Sequence, residues 1–196
     1  GKIADATTDN EMISLLCARL TDNDQIARAK VFPFQVFNAY KNATDLDHRI
    51  TDALKYAAEY SLRNVPVIQG NVAVCIDVSG SMSGYAMSNN GKQSSITRLQ
   101  IAALFAAALW VNNPHTQIFA FDAQSGFNSS YWGRSTNDGS GLYPINATEY
   151  MSLKPGEEGQ KSFMDLANHL ETYGGGGTDC SLPLKHFIEK NMQFDT

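Results

Sequence analysis

Long apolar runs are what this sequence has least of. The longest, "IAALFAAALWV" at residues 101–111, falls short of the roughly 18 residues that a bilayer-spanning helix needs. No secretory leader pattern opens the chain, so a soluble protein with no membrane partner is expected. Cysteine is scarce: Cys17, Cys75 and Cys180 are odd in number and lack C-x-x-C spacing. That argues against a disulfide framework and a structural zinc site, and the expected compartment is the reducing cytoplasm. Basic charge is also short, with 15 Lys and Arg against 20 Asp and Glu and a net charge of -5. A nucleic-acid surface would therefore have to be a local patch or lie elsewhere.

Catalytic signatures are missing too. Residues 80–84 read G-S-M-S-G, with Met82 where a nucleophile elbow needs serine. Gly174 to Gly177 are not followed by the Lys-Ser/Thr of a phosphate-binding loop. His48, His115, His169 and His186 sit in helical or turn contexts with nothing marking one as a base. Cys180 beside Asp179 reads as a small residue starting a helix rather than a reactive thiol. An enzyme is not expected. Sequons at Asn42, Asn128 and Asn146 would matter only in a secreted protein.

What is present fits one globular domain and an appendage: 196 residues, 43% hydrophobic and 18% charged. "NEMISLLCAR" at 10–19 places Met12, Leu15, Leu16 and Leu20 at helical spacing. "IARAKVFPFQVFNAYKN" carries Val31, Phe34, Val36, Phe37 and Tyr40 around Pro33, which suits a helix starting there. "DLDHRITDALKYAAEYSL" sets Ile50, Leu54, Ala57, Ala58 and Leu62 on one face. Three such helices over residues 1–64 read as the end of a helical-repeat region.

Pro66 and Gly70 then mark a linker, and residues 65–196 have another texture. The apolar "VAVCI" at 72–76 has no alternation, as expected of a strand covered on both faces. A Gly/Ser/Asn-rich loop at 79–95, an Ala-rich helix at about 97–112 and the strand "TQIFAFD" at 116–122 follow. This is a right-handed βαβ unit with parallel strands. Residues 123–159 read as a surface excursion with at most an edge strand near "YMSLK", followed by helices at 162–173 and 182–190.

Chemistry concentrates in "DVSGSMSG" at 77–84, immediately after the first strand. In open α/β sheets, ligands bind at the carboxyl ends of strands. Asp77, Ser79 and Ser81 lie two apart, so their oxygens converge in a loop conformation. Such hard donors suit a divalent cation, Mg²⁺ or Mn²⁺. Thr178, after four glycines that let backbone approach closely, would reach the same ion. A D-x-S-x-S run is also compatible with a simple Gly/Ser turn in which the aspartate caps the next helix.

"DVSGSM" after an apolar strand, with "GGTD" about a hundred residues on, resembles the metal-ion-dependent adhesion site of von Willebrand factor A domains. "GGGGTDCSLPL", with "ARAKVFPFQVFNAYK" and "ALKYAAEYSLRNVP" upstream, is similar to the Ro autoantigen (TROVE) family of RNA-binding proteins. The resemblance implies a ring of helical repeats closed by an A domain, a mainly parallel α/β fold. It implies binding of small structured Y-type RNAs and of misfolded RNA ends, chiefly through the repeats. Asp77, Ser79, Ser81 and Thr178 would ligate the cation, with Asp179 behind them and an acidic protein residue completing the shell.

The family pattern has a third loop, with an acidic ligand after the next strand; Asp195 precedes that place and is not assigned the role. A start at Gly1 and a stop at Thr196 suggest a piece of a longer protein. In the A-domain order the strand after Thr196 lies beside residues 72–76. A separate piece, an exchanged copy or further residues are expected to supply the missing strands, because an open central strand invites pairing. A metal-dependent protein-interaction module with no RNA role of its own is the alternative function.

Overall fold

A computed structural model describes residues 2–43, 45–87, 91, 93–123, 140–152 and 161–196, with backbone alone for 2–8. The chain divides into two compact units, Gly1–Val65 and Pro66–Thr196.

Among the described residues the first unit contains four α-helices, α1 (Lys2–Leu20), α2 (Asn23–Ala29), α3 (Pro33–Lys41) and α4 (His48–Ser61). Capping sets their boundaries. Asp22 accepts the Gln25 N–H ahead of α2, and Lys30 ends that helix in the left-handed conformation at φ 48°. Pro33 occupies the first turn of α3, and Gln35 Oε1 reaches back to the Phe32 N–H at 2.9 Å. Asp47 caps α4 and grips the Arg49 guanidinium through two hydrogen bonds of 3.0 and 2.8 Å. The apolar stripe of α4 is buried, Ile50, Leu54, Ala57 and Ala58 included, as the spacing indicates.

Two details differ from the sequence expectation. The polar "NDQIARA" forms its own helix, α2, which buries Ile26. On α1, Met12, Leu15 and Leu16 face outward, exposed by 64%, 59% and 42%. The helix packs on α4, and its less exposed residues are instead Ile13, Cys17 and Leu20, one helical stripe further round.

The second unit is an α/β layer structure. Strand β1 (Val72–Asp77) runs parallel to β4 (Thr116–Phe121), in register from Val72 against Thr116 to Asp77 against Phe121. β5 (Leu142–Ile145) adds an antiparallel edge on β4, giving the order β1-β4-β5. Between β1 and β4 come a short 3-10 turn, Gly80–Ser83, the hairpin β2 (Tyr85–Met87) and β3 (Gln93–Thr97), and helix α5 (Arg98–Asn112). The sequence here reads as loop, because the two strands are short, half of their residues are exposed and β3 carries two serines, so period-two hydrophobicity is absent.

Thr97 opens α5 with a capping box: its hydroxyl accepts the Gln100 N–H while Gln100 Oε1 accepts the Thr97 N–H. The buried residues Ala103, Leu104 and Ala107 of α5 and Phe163, Leu166 and Leu170 of α7 (Phe163–Leu170) make one apolar layer. On β4, alternation puts Phe119 and Phe121 on one face, where Leu182 and Phe187 of α8 (Leu182–Glu189), with Met192 and Phe194, pack against them. β4 is buried along most of its length, but the cover expected on both faces of residues 72–76 is incomplete: Val72 and Ile76 are buried, Ala73 and Val74 half-buried and Cys75 exposed.

The edge strand expected near "YMSLK" lies earlier, at β5, and Tyr150 and Met151 belong instead to a short helix, α6 (Ala147–Met151), capped by Asn146. The excursion at 123–159 falls largely outside the described residues. On the other side of β1 the chain's last residues begin a parallel pairing. Thr196 N–H donates to Asn71 O at 3.4 Å and its carbonyl accepts the Ala73 N–H at 2.9 Å, one rung opposite Val72.

Candidate divalent-cation site at the strand tips

Where β1 ends, the backbone turns over its own carboxylate. Asp77 Oδ1 accepts the Ser79 N–H at 2.8 Å, a local turn that Asp favours. Ser79 is 1% exposed, and its Oγ stands 3.2 Å from Ser81 Oγ. Two adjacent oxygens on an octahedral Mg²⁺ or Mn²⁺ are roughly 3 Å apart, so this spacing suits neighbouring coordination positions. The Arg98 guanidinium, from the first turn of α5, donates to the Ser81 carbonyl at 2.8 Å and fixes the turn from outside.

The glycine run is stitched across the tips of both parallel strands. Gly175 N–H donates to Val78 O at 2.9 Å, Gly80 N–H to Gly176 O at 2.9 Å, and Gly177 exchanges both backbone bonds with Ala123 at 2.7 and 2.8 Å. At Gly174 and Gly176 backbone this close leaves no room for a side chain. A Cβ on Gly174, whose φ is +84°, would collide with the Val78 carbonyl, and one on Gly176 would lie 2.9 Å from Asp122 Oδ2. Thr178 emerges next and is exposed. The contact joining the two halves of the predicted donor set is Gly80, between the serines, bonded to Gly176, two residues before Thr178.

Asp179 turns elsewhere. Its Oδ1 accepts the Ser181 N–H and hydroxyl, and Oδ2 lies 3.9 Å from Lys185 Nζ. The Ser181 hydroxyl, more than any other contact, holds its carboxyl below the usual range.

Sequence reasoning left out Asp122. It follows β4 as Asp77 completes β1, and the same rule, an acid at the carboxyl end of an apolar strand, would have found it. Asp122 is 3% exposed; its Oδ2 accepts the Gly176 N–H at 3.0 Å. Oδ1 is buried and accepts no hydrogen bond among the described residues. Burial pushes this carboxyl above its ordinary range; the Gly176 N–H and the nearby Tyr143 hydroxyl offset part of the shift, and the Asp77 charge adds to it. Hard oxygens, two of them on carboxylates and one orphaned and buried, are a donor set that fits a small divalent cation.

Two of the four histidines have structural partners. His169 stacks on Tyr150 with ring centres 4.0 Å apart and pairs with the Tyr173 hydroxyl at 3.1 Å, while His186 lies against Phe119.

No protein-family model and no curated protein matches this chain. Among solved structures it is similar to the crystal structure of the Ro (RSR) protein of Deinococcus radiodurans, with a TM-score of 0.61 and 18% sequence identity. The similarity covers 94% of this chain and 33% of that protein, so the chain spans a third of its length. At this identity the likeness establishes the fold alone: helices followed by an α/β unit, as in part of that protein.

Proposed function

We propose that the chain is part of a Ro-like, non-catalytic ribonucleoprotein component whose α/β unit holds a divalent cation at Asp77, Ser79, Ser81 and Thr178. What carries the reading is the joining of the "DVSGSM" turn to the "GGTD" loop through Gly80 and Gly176, within a fold matched along 94% of the chain by a Ro protein. When bound, the cation supplies a positive centre with coordination positions left over for a ligand oxygen. The residues do the rest. Asp77 provides charge, Ser79 and Ser81 orient two hydroxyls, and the glycine loop presents Thr178.

RNA contact in this reading belongs mainly to helical repeats beyond residues 1–64, in keeping with the net charge of -5. Titrating the full-length protein with a small structured RNA at several salt concentrations tests it. Phosphate contacts make affinity fall steeply as salt rises. Absence of any salt-dependent RNA binding would contradict the ribonucleoprotein reading.

A second reading has its own support. Ser81 and Thr178 are both exposed, so a cation held by them would face solvent, where an acidic residue of a partner protein could complete its shell. Binding of a carboxylate-bearing partner that EDTA abolishes, with RNA ignored, would favour that module.

A further inference from the structure

The Asp122 carboxylate has no partner equal to its charge. It is 3% exposed, its Oδ2 accepts the Gly176 N–H, the neutral Tyr143 hydroxyl is nearby, Oδ1 is buried, and no Lys or Arg among the described residues forms an ion pair with it. An ionised carboxylate buried this way is costly unless a cation or a proton balances it. The second carboxylate, Asp77, ends the neighbouring strand, with its Cα in register with Phe121, the residue before Asp122. Asp77 likewise has no salt bridge among the described residues, where the one guanidinium at this turn, Arg98, is bonded to the Ser81 carbonyl rather than to either carboxylate, so the strand tips gather two negative charges without an ion pair.

A purely structural clamp for the glycine loop would not need the charge. Serine or asparagine would accept the Gly176 N–H equally well, without the desolvation of an ion. A chain that keeps a carboxylate here retains something unfavourable to its own stability, as functional sites do.

We propose that Asp122 supplies the second negative charge that holds the dication at Asp77, Ser79 and Ser81, while its bond to Gly176 fixes the loop that presents Thr178. This inference rests on the cation reading above and adds a residue from β4 to it. Asp122 acts through space and through Gly176, and it needs no direct bond to the ion. Charge at close range in a poorly solvated site acts more strongly than in water. The dication in turn relieves the repulsion between the two carboxylates.

The test is Asp122→Asn, which keeps shape and an acceptor while removing charge, measured beside Asp77→Ala. The readouts are Mn²⁺ titration calorimetry and thermal melting in EDTA. The inference expects Asp122→Asn to bind Mn²⁺ at least tenfold more weakly while melting at a higher temperature than the unmutated chain in EDTA. A purely structural role would instead lower the melting temperature, and that result overturns the inference. So does unchanged Mn²⁺ affinity in Asp122→Asn when Asp77→Ala has lost binding. If Asp77→Ala also binds normally, the cation site itself is refuted, and the charge role of Asp122 with it.

Discussion

The Gly80 N–H donates to the Gly176 carbonyl across 2.9 Å, tying the turn after the first parallel strand to a loop about a hundred residues further along the chain. Every oxygen proposed to bind the cation lies within three residues of one end of this bond, and Asp122, which adds charge without a direct bond to the ion, holds the Gly176 N–H itself. The site is therefore a property of backbone docking as much as of side-chain identity.

Gly174→Ala tests that dependence. Its φ of +84° and the Val78 carbonyl in the path of a Cβ leave the new methyl no place. The substitution should cost more than about 1 kcal/mol of stability in the second unit and should weaken Mn²⁺ binding although no donor is removed. Melting curves and cation titration of the same sample check both halves.

The first unit offers a pH-dependent test. Hydrogen bonds from the Arg49 side chain, then its N–H, hold the Asp47 carboxyl far below the ordinary 3.8. A carboxyl with a depressed folded-state pKa stabilises the fold above its unfolded pKa, and that stability is lost as pH falls through the folded value. Asp47→Ala should therefore lower the melting temperature at pH 7 and by a similar amount at pH 5. The gap should narrow only as pH drops below 3.8 toward the folded-state value. A gap that closes between pH 7 and 5 would show that another group is responsible.

Hydrogen exchange reads the outer edge of β1. The Val72 N–H points to His115 on the β4 side, and the Ala73 N–H points the other way, to Thr196. By alternation, Val74 faces β4 and Cys75 faces the outer edge, past the last rung formed by Thr196. In this chain the Val74 amide should be strongly protected and the Cys75 amide should exchange much faster. Equal protection would mean that another segment covers the edge.

Much of this architecture could be read in the sequence because hydrophobic patterning carried it. The unalternating run at 72–76, the Ala-rich stretch and the second apolar strand gave β1, α5 and β4, and Pro33 and the stripe of α4 gave two helices. The elements missed are those whose formation depends on neighbours rather than on their own pattern. α2 buries a single residue, Ile26, and half of the residues in the β2–β3 strands are exposed. On α1, of the four apolar residues at helical spacing, Leu20 lies on the less exposed stripe and Met12, Leu15 and Leu16 do not. At the site, Asp77, Ser79, Ser81 and Thr178 could be named from spacing and resemblance. Asp122 stands at the end of an apolar strand as Asp77 does, which marks it as a candidate, but its hold on the glycine loop is legible only in the fold, through its contact with Gly176, 54 residues later.

Calorimetric titration of Mn²⁺ into the unmutated chain and into Asp77→Ala tests the account most directly. It predicts saturable binding of one ion to the unmutated chain, loss of that binding in Asp77→Ala, and a smaller loss in Thr178→Ala, since a neutral hydroxyl holds a dication less strongly than a carboxylate. Equal affinity in the Asp77→Ala variant, or no saturable binding in the unmutated chain, would contradict it.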